Sequence, residues 1–151
     1  MKAEPPIKAF LEGVGPDSYG RLINDIWAFS DNEIEQTHNF IQWLFPLAEA
    51  SLSVPGSPTL TPEATAALAA SEGPKNSILK SGKWYLGFLS RTSHWRVKYN
   101  HNHLRITRAI KSTRLLVSDA EANSFRDGVF LLLREDLVLI DEKAKSFWNT
   151  A

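Results

Sequence analysis

Two short segments of this chain carry the side chains whose types and spacing could do chemistry. In each segment, polar residues recur at intervals of three or four positions, which places them on one face of a helix in a stripe about 60° wide. The first stripe carries carboxylates and a histidine: Asp31, Glu35, His38 and Gln42. The second stripe carries guanidinium groups: His101, Arg105, Arg108 and Ser112. Such stripes could bind a polar ligand or pair with each other.

Apolar residues border the arginine stripe on both sides, so we do not expect it to be fully solvated. Leu104 and Leu115 lie along one border, and Ala109 and Leu116 lie along the other. A guanidinium group taken out of water needs an acceptor, because an unpaired buried charge costs several kcal/mol. The acidic stripe could supply that acceptor.

Two interpretations of the stripes stay open. In a structural interpretation, Glu35 or Asp31 pairs with an arginine of the second stripe and fixes how two helices cross. In a functional interpretation, the two stripes line one cleft in which both arginines hold a carboxylate or a phosphate. His38 and Gln42 would then orient that ligand.

The sequence gives little support to catalysis or to a resident metal. The chain has no cysteine, no Gly-x-Ser-x-Gly elbow and no glycine-rich phosphate loop followed by lysine. His38 beside Glu35 could act as an oriented base, but the same spacing is a common contact on helix surfaces. A zinc site that combines these two residues with His103 is the remaining metal alternative, against a histidine satisfied in the core. We therefore expect no enzyme, no cofactor and no metal site.

Charge is segregated along the chain although the formal net charge is zero. Residues 1–72 hold 10 acidic and 3 basic residues, and residues 119–151 hold 7 acidic and 4 basic residues. The middle segment, residues 73–118, holds 10 basic residues and no acidic residue. This basic segment either folds against its acidic flanks or presents a basic face to an anion.

Nucleic-acid binding is the competing functional class. The basic segment mixes lysines and arginines with Trp84, Tyr85, Phe88, Trp95 and Tyr99, which are residue types that stack on bases. The plain alternative is that the aromatic side chains face the core and the lysines are solvated. Because no helix-turn-helix or RNA-binding signature is present, we rank nucleic acid below a peptide, protein or small anionic ligand.

Hydrophobic spacing predicts an all-α fold, a single compact domain with about six or seven orthogonally packed helices. The expected helices cover 6–11, a segment opening at 16–18, 32–45, 62–70, 76–89, 102–116 and the region after the capping box at 118–121. The apolar spacing of that last region predicts one long C-terminal helix, or two helices with a kink near Arg134. Residues 51–60 read as a surface loop. The expected core contains Trp27, Phe40, Leu44, Ile106 and Ile110 together with the terminal helix.

A length of 151 residues fits one domain. We find no secretory signal and no apolar run of the roughly 20 residues that a membrane span needs. The absence of cysteine suits a reducing compartment. We therefore expect a soluble, cytoplasmic protein without membrane insertion.

Two blocks of this sequence resemble the conserved amino-terminal domain of the opioid growth factor receptor proteins. Residues 30–47 contain Glu35-x-x-His38-x-x-Ile41-Gln42-Trp43-Leu44-Phe45-Pro46, which is similar to one block of that family. Residues 100–112 contain Asn100-His101-x-x-Leu104-Arg105-Ile106-Thr107-Arg108, which is similar to another. The chain looks like a short member of the family, of the kind found in prokaryotes.

The resemblance implies an all-helical domain and, in the animal members, a receptor for a short opioid peptide. Fold resemblance alone does not carry the ligand over. We therefore predict a ligand-binding or protein-interaction domain, with nucleic-acid or phosphate-ligand binding through residues 73–118 as the alternative. The candidate ligand-binding residues are Glu35, His38, Gln42, Trp43, Asn102, Arg105 and Arg108.

Overall fold

The fold is all-α, as the hydrophobic spacing predicts. A computed structural model describes residues 6–49, 54 and 57–151. Within these residues lie nine α-helices and one 3-10 helix: α1 (Pro6–Leu11), α2 (Ile23–Trp27), α3 (Asp31–Gln36), α4 (Ile41–Leu44), α5 (Pro62–Ala69), α6 (Glu72–Arg91), α7 (Asn102–Leu116), α8 (Asp119–Leu133), η1 (Arg134–Leu139) and α9 (Glu142–Thr150). The expected number of six or seven helices was therefore too low. In the same residues, β structure is confined to one isolated parallel bridge between Leu47 and Thr59.

The chain divides into two compact units, Met1–Ser81 and Gly82–Ala151, and the division falls within α6. The assignment of the chain to a single domain stays a prediction.

In the first unit, α1 packs against α4 and α5. The ring of Phe10 meets the ring of Trp43 edge to face, with centroids 5.3 Å apart. Phe40 and Leu44 are fully buried, which confirms their assignment to the core, and Phe45 is fully buried as well. The assignment of Trp27 to the core is wrong, because its side chain is only half-buried. Its indole Nε1 donates to Ser81 Oγ at 2.9 Å, and Lys80 lies over its ring.

The single helix expected over 32–45 is wrong. Ser30 caps α3 by accepting from Glu33 N, but α3 ends at Gln36, and Thr37 already has extended dihedral angles. The chain becomes helical again at Ile41. A long-range contact stabilises the interruption, because the Arg21 guanidinium donates to both the side chain and the backbone carbonyl of Asn39.

Other helix boundaries follow local capping rules. The bounds of α1 and α7 match the expected ones. The second helix starts at Ile23 instead of 16–18, because residues 17–20 form a turn that Gly20 closes with φ +80°. Helix α6 starts at Glu72, four residues earlier than expected, because proline is tolerated in a first turn, where Pro74 lies. The expected loop over 51–60 lies partly outside the described residues.

The second unit is built around α7, which packs against α8 and α9. Ile106 and Ile110 on α7 are fully buried, as expected, and so are Val129 and Trp148 from the two neighbouring helices. Trp148 Nε1 donates to the backbone carbonyl of His103 at 3.1 Å. This bond ties the end of the chain to the start of α7.

The C-terminal region is not one long helix. Ser118 caps α8 as expected, but α8 ends at Leu133, and a 3-10 turn separates it from α9. The interruption occurs at Arg134, whose φ of +51° is incompatible with an α-helix. The alternative of two helices with a break near Arg134 is therefore the correct one. Among the described residues, no helix is long and apolar enough to cross a membrane.

Candidate functional site

The predicted site residues fall in both units. Glu35, His38, Gln42 and Trp43 belong to the first unit, and Asn102, Arg105 and Arg108 belong to the second. The structural and functional interpretations of the two stripes therefore both stay predictions.

The break between α3 and α4 removes the acidic stripe as one helical face. Glu35 lies half-buried in the last turn of α3, whereas His38 is exposed in the connection that follows. Gln42 and Trp43 lie on the separate helix α4. The assignment of His38 and Gln42 to one continuous helical face is thus wrong.

Gln42 is buried with only 8% of its surface exposed. Among the described residues, its carbonyl oxygen Oε1 has no hydrogen-bond partner. A buried polar atom without a partner costs about 1–3 kcal/mol. The burial of this oxygen therefore lowers the stability of the unit.

Trp43 forms one wall of a cavity of about 480 Å³. The other walls come from the start of α1, the turn after it, the extended segment before α5, and α5 itself: Pro6, Ile7, 16–18, 58–61 and Ala64. Trp43 is itself 7% exposed, so it is both a core residue and part of the cavity wall. Pockets of about 300–1,000 Å³ are the usual size for small-ligand sites.

A hydrogen-bond network shapes the turn that lines this cavity. The carboxylate of Asp17 accepts from the backbone N–H groups of Tyr19 and Arg21, both at 2.9 Å, and from Arg21 Nε at 2.7 Å. The same guanidinium reaches Asn39, where Nη1 donates to Oδ1 at 2.9 Å and Nη2 donates to the carbonyl oxygen at 3.2 Å. Asp17 thus connects the cavity wall to the break between α3 and α4.

Sequence reasoning missed Asp17, Arg21 and Asn39. The available signal was local: an aspartate that opens a turn, Gly20 at the fourth turn position, and Arg21 directly after it. The contact to Asn39 had no such signal, because 18 residues separate the two side chains.

In the second unit, Asn102 is the centre of a buried polar network. Its Oδ1 accepts from the Tyr85 hydroxyl at 2.5 Å and from Arg105 Nη1 at 3.2 Å. Its Nδ2 donates to Asn100 Oδ1 at 2.9 Å, and the same oxygen accepts from the Asn102 backbone N–H. Asn102 and Tyr85 are fully buried, and Arg105 is 7% exposed. These bonds hold the start of α7 against α6.

The arginine stripe is partly buried, as expected, but only one of its two apolar borders is buried with it. Arg108 is half-buried and His101 is exposed. On one border Ala109 and Leu116 are buried, whereas on the other Leu104 is 70% exposed and Leu115 is also exposed. Arg105 therefore owes its burial to the Asn102 side of the helix.

His103 is a satisfied core histidine. Its Nε2 donates to the carbonyl oxygen of Trp95 at 2.8 Å, and its ring meets Trp148 edge to face. Burial lowers the pKa of His103 below its ordinary value of 6.5, while the bond to Trp95 and the charge of Asp141 oppose that shift. Throughout the described residues, no group of three or more histidine, aspartate or glutamate side chains is arranged to hold a metal.

The aromatic residues of the basic segment mostly face the core. Tyr85, Phe88 and Trp95 are fully buried, and Trp95 Nε1 donates to the carbonyl oxygens of Leu89 and Thr92. Tyr99 is 70% exposed. Base stacking needs exposed rings, so the burial of these three rings favours the plain alternative over a nucleic-acid surface.

Several cations of this segment pair locally. Lys75 lies 3.1 Å from Glu72, Arg114 lies 3.0 Å from Asp119, and Arg96 Nη1 donates to the carbonyl oxygen of Leu132 at 2.8 Å. The basic segment therefore does fold in part against neighbouring acceptors.

Comparisons with known proteins point to one family. A family model described as the opioid growth factor receptor (OGFr) conserved region matches residues 16–143. The opioid growth factor receptor of Rattus norvegicus is 30% identical over 114 residues, which cover 62% of this chain and 20% of the rat protein. That of Mus musculus is also 30% identical over 114 residues, which cover 62% of this chain and 18% of the mouse protein. The chain spans about a fifth of the length of these curated relatives. No solved structure matches the chain significantly.

Proposed function

We propose a function for this chain, which belongs to the opioid growth factor receptor (OGFr) conserved-region family. We propose that it is a ligand-binding or protein-interaction domain without catalytic activity. We place its binding site at the cavity beside Trp43, and we propose a peptide as the ligand. The single observation that carries this proposal is the cavity itself, with a volume of about 480 Å³.

The position of the cavity supports the proposal. Nine of the eleven described lining residues fall within the stretch that matches the family model. Trp43, one of the predicted ligand-binding residues, lines the cavity, and tryptophan is among the residues that contribute most to binding at interfaces. The names of the rat and mouse relatives describe receptors for a growth factor. A peptide ligand for this chain is consistent with those names.

The lining favours a peptide over a small anion. Among the described lining residues there is no lysine, arginine or histidine, which are the side chains that hold carboxylates and phosphates. Ile7, Leu60 and Ala64 instead offer apolar surface next to Trp43. Apolar walls with a few polar groups are typical of sites that take a peptide side chain.

Filling the cavity tests the proposal. Ala64 lines the cavity, whereas Ala66 is exposed on the same helix, so Ala64→Phe and Ala66→Phe form a matched pair. A random heptapeptide library is selected for binding to the purified chain. We expect the enriched peptides to bind wild type and Ala66→Phe equally, and to bind Ala64→Phe at least tenfold more weakly.

A second filling variant guards against misfolding of Ala64→Phe. Ser18 is exposed and also lines the cavity, so Ser18→Trp fills the space without disturbing the core. Circular dichroism and thermal melting establish which variants are folded. Undiminished binding to a folded cavity-filling variant, or a library from which no peptide enriches, would overturn the proposal.

A further inference from the structure

We infer that the cavity beside Trp43 selects an apolar side chain carried by a positively charged peptide segment. This inference rests on the proposed function and names the chemical class of its ligand. Three properties of the first unit support it: the lining of the cavity, the charge around it, and the network that holds its wall in place.

The lining is suited to an apolar anchor. Ile7, Pro16, Leu60 and Ala64 face the same space as Trp43. The Phe10 ring packs edge to face on Trp43 from within the core, which holds the indole in position. Transfer of an apolar side chain from water into such a space is favourable in proportion to the area that it buries.

The charges around the cavity favour a cation near that anchor. Asp17 is the one ionisable side chain among the described lining residues, and Arg21 pairs with it, so the lining itself adds no positive charge. Glu63 is exposed and directly precedes Ala64, which lines the cavity. Lys8, next to Ile7 on α1, lies 3.7 Å from Glu12. By sequence, residues 1–81 hold 10 acidic and 5 basic residues, a net charge of −5. A segment with this net charge attracts cationic peptides and repels anionic ones.

The Asp17 network supplies a preformed wall. The carboxylate is fully buried and accepts three hydrogen bonds, two of which come from Arg21. Arg21 Nη1 and Nη2 donate to Asn39, so this guanidinium neutralises Asp17 and holds it in place. The negative charge near the cavity is therefore that of the exposed Glu63. A wall that is already ordered lowers the entropic cost of binding. The cavity therefore selects through its apolar lining and its negative surroundings.

Three synthetic pentapeptides separate the two parts of the inference. They are acetyl-Lys-Ser-Phe-Ser-Lys-amide, its counterpart with both lysines replaced by glutamate, and its counterpart with phenylalanine replaced by alanine. Dissociation constants are measured by NMR titration of the isotopically labelled full chain in 20 mM and 500 mM NaCl. We expect the Lys-Phe peptide to bind at least tenfold more tightly than the Glu-Phe peptide at low salt. That ratio should shrink severalfold at high salt, because salt screens exposed charges. The alanine peptide should bind at least tenfold more weakly than the Lys-Phe peptide at both salt concentrations.

A matched pair of charge variants tests the source of the preference. Glu63 and Glu121 are both exposed acidic residues in the first turn of a helix, but Glu121 belongs to the second unit. Glu63→Gln should reduce the preference for lysine over glutamate at least twofold and leave the preference for phenylalanine over alanine unchanged. Glu121→Gln should change neither ratio.

The outcomes keep this inference distinct from the proposed function. If the Glu-Phe peptide binds as tightly as the Lys-Phe peptide or more tightly, the charge preference is overturned. If the alanine peptide binds as tightly as the Lys-Phe peptide, the apolar anchor is overturned. In either case, library peptides that lose affinity for Ala64→Phe would still support a binding site at the cavity. If none of the three pentapeptides binds, the peptides enriched from the heptapeptide library decide. Enriched peptides that lack a cationic and apolar composition overturn this inference but not the proposed function. A library from which no peptide enriches overturns both. Self-association that Ala64→Phe abolishes would assign the cavity to a second copy of the chain, and that result also overturns the inference.

Discussion

The Asn102 network allows a quantitative test of whether the second sequence block has a structural role. Asn102→Ala removes the oxygen that accepts from the Tyr85 hydroxyl and from Arg105 Nη1, and it removes the donor to Asn100 Oδ1. Asn102, at which these hydrogen bonds are lost, is fully buried. A buried donor that loses its acceptor costs about 1–3 kcal/mol, and a charged donor costs more. We expect the free energy of unfolding to fall by about 3–5 kcal/mol.

Urea denaturation monitored by circular dichroism measures this loss. Asn149, which is exposed on α9, provides the matched control, and Asn149→Ala should change the stability by less than about 0.5 kcal/mol. Tyr85→Phe alone should cost about 1 kcal/mol. Because Tyr85 and Asn102 share one bond, the double variant should be more stable than the sum of the single effects predicts, by about 1 kcal/mol. A loss below about 1 kcal/mol for Asn102→Ala, or additive effects in the double variant, would refute the network as a structural element.

Three further predictions concern buried polar residues. Arg105→Ala should lower the free energy of unfolding, measured by urea denaturation, by about 2–5 kcal/mol. The control Lys83→Ala, at an exposed position, should change it by less than about 0.5 kcal/mol. Equal effects would show that Arg105 is an ordinary surface cation. Gln42→Met should raise the free energy of unfolding by about 1 kcal/mol, because it removes a buried carbonyl oxygen that has no hydrogen-bond partner among the described residues. The control Gln36→Met, at an exposed position, should not raise it. A clear loss of stability in Gln42→Met would reveal a partner for Gln42. The pKa of His103 is lowered in the folded chain, so below its ordinary value of 6.5 the unfolded chain binds a proton that the folded chain does not. Stability should therefore fall as pH drops through 6.5, and His103→Gln should flatten that dependence in urea titrations between pH 7.5 and 5.5; identical slopes would contradict the assignment.

The elements that sequence reasoning predicted well are those with local causes. Helix α7 starts and ends as its apolar spacing predicts, and Ser118 caps α8 through its own side chain. The break between α3 and α4 depends instead on Arg21, which is distant in sequence from the residues that it holds. The spacing of apolar residues across 32–45 is equally compatible with one helix or two. Only the tertiary contact decides between them.

The same distinction between local signals and long-range contacts applies to the residues of the candidate site. Trp43 and Asn102 were predicted to matter, and the structure gives each a definite place, the first in a cavity wall and the second in a buried network. Asp17 was missed because an aspartate in a turn is usually a capping residue with a local role. The cavity itself brings together segments that are separated by almost 60 positions, such as Ile7 and Ala64. No periodicity in the sequence encodes that proximity.

The two sequence blocks that resemble the family owe their composition to different physical demands. In the second block, Asn102 hydrogen-bonds to Tyr85 and Arg105, which favours a role for these side chains in the fold. In the first block, Trp43 lines a cavity that the fold leaves open, and Gln42 buries a carbonyl oxygen that has no partner among the described residues. Burial of a polar group without compensation lowers stability, and an open apolar cavity gives up packing contacts. Features that reduce stability in this way are expected where a protein meets its ligand. The search for a binding partner should therefore start at the first block, with the second block as the part of the chain whose substitution reports on folding.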